Sequence, residues 1–338
     1  MEKTAVSFPG LGLDMNIDRV AFSIFGIDVY WYGLCIAFGI LMCVLLASHQ
    51  SRKLKFSSEI VADIILVALP AAVVGARLYY VACEWDSYKG DIKAILDIRS
   101  GGLAVYGGIL GAVIAVLIMC KIRKIPFSTV VDFGIVYIPL GQAIGRWGNF
   151  FNQEAFGTTT NLPWGMTSAE VVSYLNTYCP NLDSSMPVHP TFLYESLGDF
   201  AIFALLLLVR KYSKHDYETA CGYMIGYGTL RFFIEGIRTD SLYLGSTGIR
   251  TSQLLSFVLV LAGLIYVCIA NWKNIPRTAL PEKFILNDKL APVPVDAPSA
   301  EAEGEAETAA ESTAESSAES EVETDVESEV EADVESEK

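Results

Sequence analysis

No CxxC pair occurs among the seven cysteines of this 338-residue chain, and their number is odd. Cys35, Cys43, Cys83, Cys120, Cys179, Cys221 and Cys268 are scattered, mostly within apolar runs, and read as small buried hydrophobes. The pattern excludes a disulfide framework and gives no metal site. Charge is also scarce. Only 19% of residues are Asp, Glu, Lys or Arg, against 52% hydrophobic. Mean hydropathy is +0.39. That is too apolar for an ordinary soluble protein of this size and places the chain in the membrane class. The first twenty residues lack a basic region followed by a short apolar core, so no cleavable signal peptide is expected.

The net charge of −15 does not belong to the body of the protein. Residues 301–338 hold sixteen Asp or Glu and one Lys, which accounts for all of it. The other 300 residues carry 23 acids and 23 bases. The acidic tail has no aromatic residue and almost no large apolar one. It cannot bury enough surface to offset its ordering entropy, so it is expected to be disordered.

A bilayer core needs about 20 mostly apolar residues per helix. Seven segments approach this: 24–47, 60–83, 103–120, 130–150, 192–210, 220–237 and 251–271. The third and fourth carry GG, YGG and GxxxG-like spacings that let helices approach closely. Loop charges give the sidedness. Arg52, Lys53 and Lys55 follow the first span, and Lys121, Arg123 and Lys124 the third. Arg210, Lys211 and Lys214 follow the fifth, and Lys273 and Arg277 the seventh. The alternate segment 151–190 has no Lys or Arg at all. The positive-inside rule places the N-terminus outside and the C-terminus in the cytoplasm. The expected fold is therefore all-α: a polytopic membrane protein of about seven transmembrane helices, residues 1–280. A small external head domain sits at about 151–190, and a disordered acidic cytoplasmic tail spans 281–338.

This sidedness collects polar groups at one level. GRWGNFFNQEAFG (145–157) ends the fourth span and supplies Arg146, Asn149, Asn152, Glu154 and Gly157. Tyr32 lies in WYG, Arg77 in GARLYY, and Tyr106 in RSGGLAVYGG (99–108). His189, Tyr194 and Glu195 lie in VHPTFLYES; Tyr227, Arg231, Glu235 and Arg238 lie in GYGTLRFFIEGIR. Plainer readings stand beside the functional one. Arg238 could snorkel to the interface, and Arg231 with Glu235 could be a simple i, i+4 pair. Trp31 and Trp147 suit an interface belt. Asp132 could cap the fourth span or pair with Lys124, while His49 and His215 read as solvated loop residues. Still, an arginine inside a span is rare and usually faces protein or a wet cavity. Several arginines around a lipid-facing pocket favour an anionic ligand, because the guanidinium fork matches phosphate oxygens. The residues alone reach an outward-level pocket for an anionic lipid and name no reaction.

The motif GRWGNFFNQEAFG resembles the signature of the prolipoprotein diacylglyceryl transferases, G-R-x-G-N-F-x-N-x-E-x-x-G, with every fixed position filled. It is joined by WYG, GxRxxY, GG…xGG, HPxxLYE and GYGxxRxxxE in that order along the chain, and the resemblance covers roughly residues 20–275. It implies an enzyme of the bacterial cell membrane that carries out the first step of lipoprotein maturation. The diacylglyceryl group of phosphatidylglycerol passes to the lipobox cysteine thiol of a preprolipoprotein signal peptide, and glycerol phosphate is released. It implies no metal, no nucleotide or other cofactor and no nucleic-acid partner. Catalytic roles would fall to Arg146, Arg231, Tyr106, Glu154 and Glu235. Substrate or lipid binding would fall to Tyr32, Arg77, Asn149, Asn152, Gly157, His189, Tyr194, Glu195, Tyr227 and Arg238. One position departs from the pattern: Tyr106 stands where familiar members carry the His of an HGG motif. A phenol is a poor base at neutral pH, so Glu235, Glu154 and His189 stand as alternative proton acceptors. A transporter or channel, and an inactive lipid-binding relative, are the competing functional classes.

Overall fold

The computed structural model describes residues 4–54, 56–98, 101–245, 247–281 and Ile285. The expected acidic tail lies outside the described residues, except for Pro281 and Ile285, as do Arg99 and Ser100 of the glycine-rich opening at 99–108.

The chain begins with strands, where helix alone was expected. β1 (Thr4–Phe8) pairs antiparallel with β2 (Leu13–Ile17), with Val6 opposite Met15. β3 (Val20–Ile24) and β4 (Ile27–Tyr30) form a separate hairpin. α1 (Trp31–Lys53) starts directly after it, so the first span begins seven residues later than the expected position 24. α2 (Ser58–Cys83) is opened by the Ser57 side chain, which accepts from the Glu59 amide at 3.2 Å. Two short helices follow, α3 (Trp85–Tyr88) and α4 (Ile92–Leu96). α5 (Val105–Arg123) then packs back along α2. A Cβ on Gly75 would meet the Gly107 carbonyl at 2.4 Å, so glycine is what permits this approach.

The expected fourth span is broken. α6 (Phe127–Gly134) gives way to a 3-10 turn at Ile135–Tyr137, and α7 (Ile138–Asn152) resumes with Pro139 in its first turn. Proline is tolerated there because its missing N–H would be unpaired in any case. The break is tied to its neighbours: Tyr137 Oη donates to Gln50 on α1 at 3.1 Å and accepts from Arg210 at 3.2 Å. A two-residue strand, β5 (Thr167–Ser168), pairs with β1, and α8 (Ala169–Tyr178) starts beneath a Ser168 cap. α9 (Thr191–Tyr212), which carries Arg210 near its C-terminus, α10 (Glu218–Ile237) and α11 (Thr251–Lys273) complete the bundle.

Among the described residues, six helical segments are long and apolar enough to cross a membrane, the α6–α7 stretch counting as one. The protein is a multi-pass membrane protein. The expected sixth span corresponds to α10, whose 20 residues suffice by length, about 30 Å. It falls outside the six because Arg231 and Glu235, together with its glycines and tyrosines, lower its mean hydropathy. Basic residues close α1, α5, α9 and α11, where they complement the negative ends of the helix dipoles. At the opposite end, β1, α8 and the 153–190 segment enclose a second apolar core. Val6, Phe150, Phe156, Val171, Leu175 and Val188 are buried there. Each such side chain contributes about 1.5–3 kcal/mol. The head is thus built from both the N-terminal strands and the inserted segment.

Two plainer expectations are corrected. Asp132 is buried and accepts from the Ala220 amide at 3.0 Å, so it caps α10 instead of the fourth span and does not pair with Lys124. His215 is buried rather than solvated, with Nδ1 2.6 Å from the Ile275 carbonyl.

Candidate functional site

Three helices bring charge to one point inside the head-side half of the bundle. α10 places Arg231 and Glu235 at i, i+4, with Arg238 one turn further on, so all three share a face. α9 contributes Glu195, only 2% exposed, and α7 contributes Arg146. The Glu195 carboxylate bridges them. Its Oε1 lies 2.7 Å from Arg231 Nη1 and 3.6 Å from Arg238 Nη1, while Oε2 contacts Arg146 Nε. Arg231 also holds Glu235 at 2.6 Å, and Arg238 holds Asp240 at 2.6 and 2.8 Å. Arg238 is therefore part of the cluster and does not snorkel. Arg146 makes no other ion pair among the described residues, and 21% of its side chain is exposed. Its guanidinium fork suits the oxygens of an anion.

Asp199 was not singled out from the sequence. It lies one turn along α9 from Glu195, is fully buried, and neither carboxylate oxygen has a hydrogen-bond partner among the described residues. Arg146, Arg231 and Glu195 are its charged neighbours. Tyr227, in range of both arginines, stacks on Tyr223 at 5.4 Å, and Tyr223 donates to Gln142 at 3.1 Å.

The end of α7 presents the other half of the motif. Asn149 and Asn152 both donate to Glu154 Oε1, at 3.0 and 3.2 Å. The chain turns through two left-handed non-glycine residues, Gln153 at φ 54° and Ala155 at φ 60°. Each costs on the order of 1–3 kcal/mol and persists only where its surroundings over-determine it. Here the Thr191 hydroxyl donates to the Ala155 carbonyl, and the Gly157 amide donates to the His189 carbonyl at 2.9 Å. Glu154, Asn152 and Tyr32 line a cleft of about 1410 Å³ between α1 and α8. Tyr32 lies within electrostatic range of both Glu154 and Arg146, which links the cleft to the arginine cluster.

His189 and Tyr194 form a side network with Trp164. Trp164 Nε1 donates to the Tyr194 hydroxyl at 2.8 Å, and that hydroxyl lies 3.2 Å from His189 Nδ1. Burial holds the His189 imidazole below its usual pKa and favours the neutral ring.

Three expected site residues make contacts of another kind. The Arg77 guanidinium is buried on backbone carbonyls, donating to Ile95 at 2.9 Å, Gly101 at 2.8 Å, Gly102 at 2.9 Å and Ala94. It ties Ala94 and Ile95 to Gly101 and Gly102 and makes no ion pair with the Glu195 cluster among the described residues. Gly157 is a packing position, since a Cβ would meet His189 Cβ at 2.8 Å and the Ile237 carbonyl at 3.1 Å. Tyr106, in the first turn of α5, is half-exposed, and its hydroxyl has no hydrogen-bond partner among the described residues.

Comparison with known proteins agrees with this geometry. A family model described as prolipoprotein diacylglyceryl transferase matches residues 19–269. The phosphatidylglycerol--prolipoprotein diacylglyceryl transferase of Finegoldia magna is 49% identical over 250 residues, 74% of this chain and 94% of that protein. Its counterpart in Clostridioides difficile is 42% identical over 258 residues, 76% and 97% of the two chains. The matched region contains all the spans but α11's last residues and both halves of the site, so this chain belongs to the prolipoprotein diacylglyceryl transferase family.

Proposed function

We propose that this protein transfers the diacylglyceryl group of phosphatidylglycerol to the lipobox cysteine of a preprolipoprotein, in the bacterial cell membrane. The head faces outward and the basic helix ends face the cytoplasm, following the loop-charge asymmetry. The observation that carries the reading is the convergence of Arg146 and Arg231 on the buried Glu195. The Arg146 guanidinium binds the lipid phosphate, and both guanidinium groups stabilise the charge that develops on the leaving group. The substrate thiolate attacks the glyceryl carbon next to the phosphate ester oxygen. A sulfur–carbon bond forms, the carbon–oxygen bond breaks, and its electron pair leaves on glycerol phosphate. We assign the thiol proton to Glu154, which lines the cleft and is oriented by Asn149 and Asn152.

The test uses the purified full chain in vesicles, headgroup-labelled phosphatidylglycerol and a peptide carrying a lipobox cysteine. Thioether peptide and labelled glycerol phosphate form in equal amounts, and only with peptide present. Release without peptide would make the protein a lipid hydrolase; binding without release would reject the transferase reading. Arg146→Ala and Arg231→Ala remain folded and lose transfer, a change on the order of 2–5 kcal/mol in transition-state binding.

A further inference from the structure

The β3–β4 hairpin stands outside both cores, and its chemistry differs from one side to the other. In its register Phe22 faces Val29 and Ile24 faces Ile27 on one side. On the other side Ser23 faces Asp28, and the serine hydroxyl donates to that carboxylate. The turn is Phe25-Gly26, with φ of 51° and 79°. Two positive φ values are what a type I′ hairpin turn requires, and Asn or Asp is the usual first residue. A phenylalanine there is strained, and this one is fully exposed. Phe22, Ile24 and Ile27 are 45%, 51% and 54% exposed, and no charge occurs between Arg19 and Asp28. In water such a tip would be a liability.

The hairpin also has a fixed base. The Trp31 amide, the first of α1, donates to the Arg19 carbonyl at 3.1 Å, and Val20 pairs with Tyr30. No linker separates β4 from α1, which is itself a membrane span. Trp31 and Tyr32 are exposed aromatics of the kind that sit at the headgroup level. A five-residue strand reaches about 16 Å from that base. Asp28 and Tyr30, on the other side from Phe22, line the cleft that holds Glu154, and Val29 also borders it.

From these observations we propose that the β3–β4 hairpin is an interfacial anchor: its apolar side and the Phe25 tip lie in the lipid surface beside α1, while its Asp28 side walls the cleft. The occupant of the apolar face is the bilayer, because the face is continuous with the lipid-exposed start of α1. The proposal needs the protein only to be embedded in a membrane and does not depend on its reaction.

Phe25→Trp places a reporter at the tip. It is compared with the parent chain in phosphatidylglycerol/phosphatidylcholine vesicles, and the parent emission is subtracted. The added emission is blue-shifted, lost in lipids brominated near the headgroup end of the chains, and insensitive to aqueous iodide. Quenching by iodide with no response to brominated lipid would overturn the proposal, whether the tip then contacts water, substrate peptide or a second copy. Phe25→Asn keeps the turn, because Asn-Gly favours type I′, and removes the apolar tip. Labelling of residues 20–30 by a diazirine-bearing phospholipid then falls several-fold; unchanged labelling would contradict insertion through the tip.

Discussion

Replacing Glu195 with glutamine removes one negative charge and almost no volume. In the parent protein the carboxylate lies 2.7 Å from Arg231 and 3.6 Å from Arg238, and it touches Arg146. At an effective dielectric of about 20 the first two contacts correspond to gross attractions of roughly 6 and 5 kcal/mol. Desolvation of the buried carboxylate opposes them. The net loss on breaking a buried ion cluster from one side is about 3–5 kcal/mol, most of it from the charge left unpaired. That charge is identifiable. Arg231 retains Glu235 and Arg238 retains Asp240, whereas Arg146 has no other carboxylate contact among the described residues. Glu195→Gln is therefore expected to lower the thermal unfolding midpoint in neutral detergent by roughly 6–20 °C. An anionic phosphate can replace the missing charge, so short-chain phosphatidylglycerol restores most of the loss and a short-chain diacylglycerol, which lacks the phosphate, does not. An unchanged midpoint, or equal recovery with both lipids, would refute the assignment of Glu195 as counter-ion to a phosphate-binding arginine.

Arg77→Lys cannot donate to the carbonyls of Ala94, Ile95, Gly101 and Gly102 together, because an ammonium lacks the planar fork that reaches them. Hydrogen exchange should rise across 92–98 and at 101–102; unchanged protection there would dismiss the latch. His189 has its folded pKa lowered from 6.5 by burial, so between the folded value and 6.5 the unfolded chain binds the extra proton. Its contribution is constant above pH 6.5, and stability declines as pH falls below it; His189→Gln should flatten that part of the stability–pH curve, and an identical curve would exclude His189 as the source. Tyr106→Phe removes a hydroxyl with no partner and should leave transfer within about twofold of the parent. A large loss of rate in that variant would return Tyr106 to the chemistry.

The spans, the motif and the arginine–glutamate layer were legible because each follows from hydropathy, loop charge or an unusual charge at depth. The N-terminal strands were not. Phe22–Val29 reads as the apolar start of a span, and Phe-Gly is not a recognised hairpin signal, so the first helix was placed too early. The break before α7 had a local sign in Gly134 and Pro139, but proline inside an apolar run marks either a kink or a new helix. Arg77 shows the limit of arguing from depth alone. Its burial is costly, as expected, yet its partners are backbone carbonyls, which no side-chain pattern announces. Asp199 carried a usable signal, an acid four residues after Glu195 on a membrane helix, which places both on one face.

The carboxylate already seated in the arginine cluster bears on turnover as well as on binding. The substrate is a phosphodiester with a single negative charge, whereas the released glycerol phosphate is a monoester bearing roughly −1.5 to −2 at neutral pH. Bare arginines would hold the more highly charged product longer than the substrate, and the reaction would slow at release. Glu195 competes for the same guanidinium groups. Under the proposed reading, an arriving lipid phosphate shares these guanidinium groups with Glu195, which keeps part of their charge neutralised throughout. Weakened capture of the lipid is thus exchanged for faster clearance of the product, in a membrane where the lipid is concentrated and the product is free to diffuse away in water.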